Sequence, residues 1–318
     1  MSRVIRIGSR RSPLALAQTG QIADGLCRAH GWPQSRVEIV PMDTLGDKRL
    51  DRPLAEIGGK GLFTEELEAA IRSGGLDMAV HSLKDLPTAM PDGLTLAATP
   101  PREDARDALV LAPGLGENIS SAAAWTDILP QNIHLGTASL RRAAQIRHLR
   151  PDITITALRG NVATRMDKLT PEGDGPQATL LAMAGLNRLG LAARAKLILP
   201  PQAMLPAAGQ GALGLQIRHD DSALQEMLQP LNCADTYAAV TAERSFLAGL
   251  DGSCRTPIAA YAELRDGHIE LTGRLLSPDG AACADIRESG KAANAAALGQ
   301  AAADSIRKSH AALLPETG

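Results

Sequence analysis

Along the first two thirds of the chain, short runs of apolar and β-branched residues alternate with stretches of helical pattern. The short runs read as strands: Val4 to Gly8, Val37 to Met42, Met78 to Ser82, Leu94 to Thr99, Ala108 to Leu111, Ile133 to Gly136, Ile153 to Leu158, Thr179 to Ala182 and Leu213 to Ile217. Helices fill the gaps. One opens with Ser12 as N-cap and Pro13 at the first helical position. Another opens at Thr64, carries Glu65 and Glu66 in its first turn and stops at Gly74-Gly75. Strands separated by helices predict an α/β architecture with largely parallel sheets. Pro100-Pro101 and Pro200-Pro201 each follow a strand and read as hinges. The expected division is 1–101 with 205–230 as one split α/β domain, 102–204 as a second, and 231–318 as a third. The third changes pattern: a long helix from Asp235 to Leu247, two strands across Ile258 to Leu276 and an Ala-rich helix from Ala292 to Leu313 predict a small α+β unit.

At 318 residues the chain exceeds what one hydrophobic core supports, which agrees with several domains. Hydrophobic residues make up 44% but aromatics only 2%, so the cores must be built from Leu, Ile, Val and Ala. A net charge of -2 excludes the broad positive field of generic nucleic-acid or anionic-membrane binders. Two Trp, two Tyr and two Phe are too few for a base-stacking platform, so no nucleic acid is expected as partner. The longest apolar stretch, Ala178 to Leu186, falls well short of the ~18 residues of a membrane helix, and no membrane partner is expected. Ser9-Arg10-Arg11-Ser12-Pro13-Leu14 has the look of a twin-arginine export signal, but polar residues follow it, so a cytoplasmic protein is expected. Cys27, Cys233, Cys254 and Cys283 are far apart, which indicates neither a zinc site nor a disulfide frame, and no metal is expected.

Charge is biased locally. Six arginines, Arg141, Arg142, Arg147, Arg150, Arg159 and Arg165, fall in a stretch whose one acid is Asp152. Arg147 and Arg150 read as the solvated face of the helix that begins near Leu140. Arg141, Arg142, Arg159 and Arg165 instead follow strand ends, where open α/β sheets place ligands, and guanidinium forks there suit a polycarboxylate or a phosphate. Lys84 and Asp85, in His81-Ser82-Leu83-Lys84-Asp85-Leu86-Pro87, also follow a strand. They are either a surface turn or a carboxylate set opposite a basic wall, able to stabilise a developing cation. Cys254 sits beside Arg255 in a turn-rich segment, which fits a reactive thiolate or an inert free thiol. Asp43 to Gly61 is charged and aperiodic and could form a lid. Its Gly59-Lys60-Gly61 lacks phosphate-loop spacing, so no nucleotide is inferred.

Eight segments occur in the order found in the hydroxymethylbilane synthase (porphobilinogen deaminase) family, which the chain resembles over almost its whole length. They are Ile7 to Ala15, Gly58 to Glu66, Val80 to Pro87, Gly136 to Arg142, Leu158 to Arg165, Ala184 to Gly190, Leu205 to Ala212 and Gly252 to Ile258. The resemblance implies two lobes like those of periplasmic solute-binding proteins, with the active site between them and a small third domain carrying the cofactor. It implies a transferase of tetrapyrrole (haem) biosynthesis. Four porphobilinogen molecules are deaminated and condensed head to tail on a covalent dipyrromethane, and hydroxymethylbilane is released by hydrolysis.

By the same resemblance Cys254 carries the dipyrromethane through a thioether and Asp85 is catalytic. Arg10, Lys60, Lys84, Arg141, Arg142, Arg159, Arg165 and Arg188 hold the acetates and propionates, while Ser12, Ser82, Thr137, Ser139 and Gln210 add neutral hydrogen bonds. Ala138 and Ser253 depart from the family's usual residues. Porphobilinogen is the expected partner, and a monomer is expected. Two α/β lobes with arginines at a cleft would also serve a solute-binding module for a small anion, and the Arg141 to Arg165 strip an RNA-binding protein. The lack of an export signal counts against the first and the aromatic deficit against the second.

Overall fold

The computed structural model describes residues 3–48, 61–115, 129–173, 175–250 and 256–314. In chain order, the first unit contains β1 (Ile5–Arg10), α1 (Pro13–His30), β2 (Val37–Met42), α2 (Leu45–Lys48), α3 (Glu65–Arg72), β3 (Met78–Ser82) and β4 (Leu94–Ala98). The second contains β5 (Asp107–Leu111), β6 (His134–Gly136), α4 (Leu140–Leu149), β7 (Thr154–Thr156), α5 (Val162–Asp167), β8 (Ala178–Ala182), α6 (Met183–Arg188) and β9 (Leu197–Ile198). β10 (Leu213–Arg218) and α7 (Ser222–Leu228) then precede α8 (Ala234–Gly249), β11 (Ile258–Arg265), β12 (His268–Leu276), β13 (Cys283–Lys291) and α9 (Ala295–Ser309).

β10 returns to the first sheet, whose order is β2-β1-β3-β10-β4, while the second runs β7-β6-β8-β5-β9. The two orders are equivalent strand for strand. In each, three parallel strands connected through helices are followed by one antiparallel strand that enters from the other unit. Four of the five strands in each sheet therefore point the same way, as expected of largely parallel sheets, and β5 and β10 are the exceptions. β5 and β10 each pair antiparallel with both neighbours, because a strand arriving from the other unit has no crossover helix of its own to turn it parallel.

Local sequence explains the elements. Ser12 Oγ accepts the Ala15 backbone N–H at 3.3 Å, Pro13 occupies the first turn, and Gly31 closes α1 in the left-handed region. The apolar stripe Ile22, Ala23 and Leu26 of α1 packs on Ile5, Ile7, Met78 and Val80 of the sheet. In the second unit Leu109, Leu135, Ile146 and Leu180 form the matching core. The third unit buries Phe246 completely against Ile258, Leu271, Leu275 and Ala302.

Three differences from the sequence reading have simple causes. The third sheet, β11-β12-β13, has a strand more than the expected two, since β13 alternates half-buried and charged residues on an edge and lacks an apolar run. The last helix is confined to Ala295–Ser309, with short 3-10 turns at Ala292–Asn294 and Ala311–Leu313. Arg147 and Arg150 are not a solvated face: Arg147 donates to Pro278 O at 2.9 Å, and Arg150 to Asp152 at 2.7 Å and Leu129 O at 3.1 Å, because the β12–β13 turn and the Leu129 segment pack on the end of α4. Among the described residues no helix is long and apolar enough to cross a membrane.

The two crossings between the sheet units meet at one carboxylate. Glu243 of α8 is fully buried; it accepts Arg102 Nη1 at 2.6 Å and Nη2 at 3.1 Å, Gly209 N at 2.7 Å and Ala262 N at 2.8 Å. Arg102 belongs to the outward crossing, Gly209 to the return and Ala262 to β11, so one side chain joins all three units. Gly211, with φ +87°, runs so close to the outward crossing that a Cβ would strike Glu103 O. Removing one partner of a buried, hydrogen-bonded ion pair typically costs about 3–5 kcal/mol. Glu243→Gln should accordingly lower the free energy of unfolding measured in urea by about 3–5 kcal/mol, whereas Glu263→Gln, on the surface, should leave it in place.

Candidate active site

Every described residue that the sequence nominates, apart from Gln210, lies at or after the C-terminal end of a parallel strand. Arg10 ends β1 and Ser12 follows it; Ser82 ends β3, and Lys84 and Asp85 follow; Thr137, Ser139, Arg141 and Arg142 follow β6; Arg159 and Arg165 follow β7; Arg188 follows β8. Gln210 precedes β10, whose antiparallel register sets Leu213 opposite Ser82 and so brings it to the same edge. Lys60 and Cys254, and most of the Asp43 to Gly61 segment read as a lid, lie outside the described residues.

Asp85 ends a one-turn 3-10 segment, Leu83–Asp85, in which the buried Leu83 and Leu86 anchor the turn and leave Lys84 and Asp85 facing outward. The Asp85 carboxylate is 33% exposed and lies 4.0 Å from Arg10 Nη1. Arg10 is held elsewhere too: its Nε donates to Asp47 at 3.1 Å and its guanidinium lies 4.2 Å from the Phe63 ring centroid. Burial alone would lower the Arg10 pKa, but the bond to Asp47 and the charge of Asp85 raise it.

Lys84 opens to solvent on one side yet has protein packed around its ammonium, and that burial, with Arg142 nearby, brings its pKa down to about 8 against the opposing pull of Asp85 and Asp107. The ammonium donates to Gln210 Oε1 at 3.4 Å. Gln210 in turn donates to Ala105 O at 2.7 Å and to Asp107 at 2.9 Å, so its amide is engaged within the protein. Arg141 and Arg142 share Asp107, at 2.8 and 2.7 Å, and Arg141 Nη1 also donates to Leu205 O at 2.6 Å. Arg142 Nε is buried with no hydrogen-bond partner.

Arg165 donates Nε to Gly160 O at 2.8 Å; burial and the charges of Arg142 and Arg159 outweigh Asp85 and bring its pKa down to about 10. These mutual effects draw Lys84, Asp85, Arg142, Arg159 and Arg165 into one field across the two sheets. The hydroxyls are arranged otherwise. Ser12 and Ser139 cap α1 and α4, Thr137 Oγ1 accepts Ser139 N at 3.2 Å, and Ser82 is hydrogen-bonded to Gln18 at 2.9 Å. Arg188 donates to Gly211 O at 2.8 Å on the return crossing, one step away from the Asp85 group.

Three supporting residues escaped the sequence reading. Asp107 heads β5, and only its antiparallel register, opposite Ala182, puts it at the same edge as the β8 end. The available signal was an acid opening the apolar run Ala108 to Leu111. Asp47 and Gln18 carried no signal of their own, one lying in an aperiodic segment and the other inside a helix.

The family model described as "Porphobilinogen deaminase, dipyromethane cofactor binding domain" matches residues 5–226, and "Porphobilinogen deaminase, C-terminal domain" matches 237–308. The chain belongs to the porphobilinogen deaminase family. A curated porphobilinogen deaminase from Nitrobacter hamburgensis is 47% identical over 303 residues, 95% of this chain and 92% of that protein. Among solved structures, an ancestral cationic amino acid solute-binding protein aligns over 72% of this chain and 88% of its own at 14% identity and a TM-score of 0.41. PhnD1 from Prochlorococcus marinus, in complex with methylphosphonate, aligns over 73% and 83% at 12% identity and the same score of 0.41. Scores at that level decide nothing, and the fold rests on the sheet orders above.

The porphobilinogen deaminase cofactor fits the residues present. A dipyrromethane has carboxylates at its rim and pyrrole N–H groups at its centre. The site offers unsatisfied Arg142 Nε, Lys84 and Arg165 for the former, and the accessible acceptor Asp85 for the latter. Because the Lys84 ammonium is present below about pH 8 and lost above it, the affinity of this site for a carboxylate-bearing ligand should fall as pH rises through 8. The dissociation constant of porphobilinogen against pH should bend there, and the bend should vanish in Lys84→Met.

Proposed function

We propose that the chain carries out the hydroxymethylbilane synthase reaction: stepwise deamination and head-to-tail condensation of four porphobilinogen molecules, then hydrolytic release of linear hydroxymethylbilane, in tetrapyrrole biosynthesis. The observation that carries this reading is a solvent-accessible carboxylate, Asp85, set among the cations Arg10, Lys84 and Arg165 at the strand ends. A dipyrromethane held through Cys254 would supply the free pyrrole α-carbon on which the chain is extended.

Asp85 accepts the pyrrole N–H of porphobilinogen and offsets the positive charge that develops as the aminomethyl group departs as ammonia. Arg10, Lys60, Lys84, Arg142, Arg159, Arg165 and Arg188 hold the acetate and propionate groups, each of which would otherwise repel Asp85 and the acids already bound. Ser12 and Ser139 accept backbone N–H groups as caps, which leaves each O–H free to donate outward to a carboxylate. Thr137 and Ser82 add neutral contacts, and Gln210 acts from behind through Lys84.

The same reading takes 1–101 with 205–230, 102–204 and 231–318 as the three domains, and the protein as a cytoplasmic monomer whose partner is porphobilinogen. Intact mass with peptide mapping tests the attachment: the purified chain should be heavier by a dipyrromethane, located on Cys254. Unmodified chain that still turns over porphobilinogen would refute it. Asp85→Ala should release ammonia from porphobilinogen at least about a hundredfold more slowly, the scale typical of a lost general acid–base group. Full turnover by that variant would remove Asp85 from the chemistry.

A further inference from the structure

The acid that braces the basic wall does not come from the same run of sequence as the arginines. Asp107 stands at the head of β5, fully buried, opposite the end of β8. Its carboxylate takes Arg141 Nη2, Arg142 Nη2 and Gln210 Nε2 within 2.9 Å. The consequences for the two arginines differ. Both Nη groups of Arg141 donate to protein, one to Asp107 and one to Leu205 O on the return crossing. Arg142 spends only Nη2 on Asp107 and keeps a buried Nε without a partner.

We propose that Asp107 is a positioning residue of the active site, which holds Arg142 so that its Nε is left for a ligand carboxylate and fixes Arg141 as a brace between β5 and the hinge. Through Gln210 it also steadies Lys84 from the opposite sheet. This inference rests on the proposed function, and it removes Arg141 from the set of direct ligand contacts. Charge accounts for the arrangement. Two guanidinium groups buried at neighbouring positions repel each other unless an anion lies between them, and after Asp107 is counted the trio still presents one net positive charge to an anionic ligand.

Asp107→Asn tests this in the full-length, primed protein. A lost charge-assisted hydrogen bond on the Arg142 guanidinium should lower kcat/KM for porphobilinogen by about tenfold or more. The alkaline limb of the kcat/KM profile should also move to lower pH. Lys84 is faced by Arg142, Asp85, Asp107 and Arg141, and loss of one of the two anions makes its ammonium give up its proton sooner. Asp107→Glu, which keeps the charge, should put the limb back. Independently of turnover, hydrogen exchange at Arg142 Nε, identified in the arginine NMR spectrum by its absence in Arg142→Gln, should be faster in Asp107→Asn than in the unmutated chain.

A folded Asp107→Asn protein with unchanged kcat/KM, an unmoved alkaline limb or unchanged Arg142 exchange overturns the proposal. If that variant does not fold, Asp107→Glu, Arg142→Gln and their combination decide. A combined loss equal to that of Arg142→Gln alone supports action through Arg142, and additive losses overturn it. Absence of porphobilinogen turnover in the unmutated chain would sink the enzyme reading, while the exchange comparison would still report whether Asp107 holds Arg142.

Discussion

Two arginine side chains buried side by side are the constraint around which this site is built. Burial and the charge of its neighbour both push the Arg141 pKa down, and Asp107 is what opposes them. In return the two guanidinium groups hold the Asp107 carboxyl far below the usual carboxylate range, although burial alone would raise it. The three charges stabilise one another, and none would be tolerable alone in a dry interior. Geometry follows from the electrostatics: α4 must start where both arginines reach the first residue of β5, and Ser139 caps it there.

The path of the chain makes that meeting possible. It leaves the first sheet after β4, builds the second and returns as β10, and each newly entered strand lies antiparallel beside a parallel one. The start of an antiparallel strand therefore shares an edge with the ends of its neighbours. Asp107 and Gln210 reach the ligand edge by this route, the one heading β5 and the other on the return crossing, and Lys84 joins them through its bond to Gln210. Glu243 then fastens both crossings to the third unit, so the hinge, the basic wall and the small domain are mechanically continuous.

Within that frame the charges are divided by exposure. Asp107 is sealed and serves the protein, whereas Asp85 is open and serves the ligand. Arg10 mediates between the kinds, balanced by Asp47 on one side and 4.0 Å from Asp85 on the other. A substrate that is anionic at its rim and becomes cationic at its reacting carbon calls for this combination: cations outside and one accessible anion among them.

Much of this was readable from local pattern. Strand and helix periodicity, the Ser12-Pro13 cap, and the basic or acidic residues after the ends of β1, β3, β6 and β7 all depend on neighbours in sequence, so the motif order sufficed to suggest the family. What did not show was anything set by contact between distant segments. Asp107 looked like an ordinary strand residue, Gln18 like a helix residue and Glu243 like one charge on a long helix; the last edge strand had too little apolar content to be seen. The sequence by itself determined which side chains stand at the strand ends, because that is a matter of local periodicity and turn chemistry. Only the tertiary structure decided which of them remain open to a ligand and which are consumed by a partner, because antiparallel return across the hinge brings an acid from one segment against the arginines of another, and a buried charge goes to the nearest opposite charge.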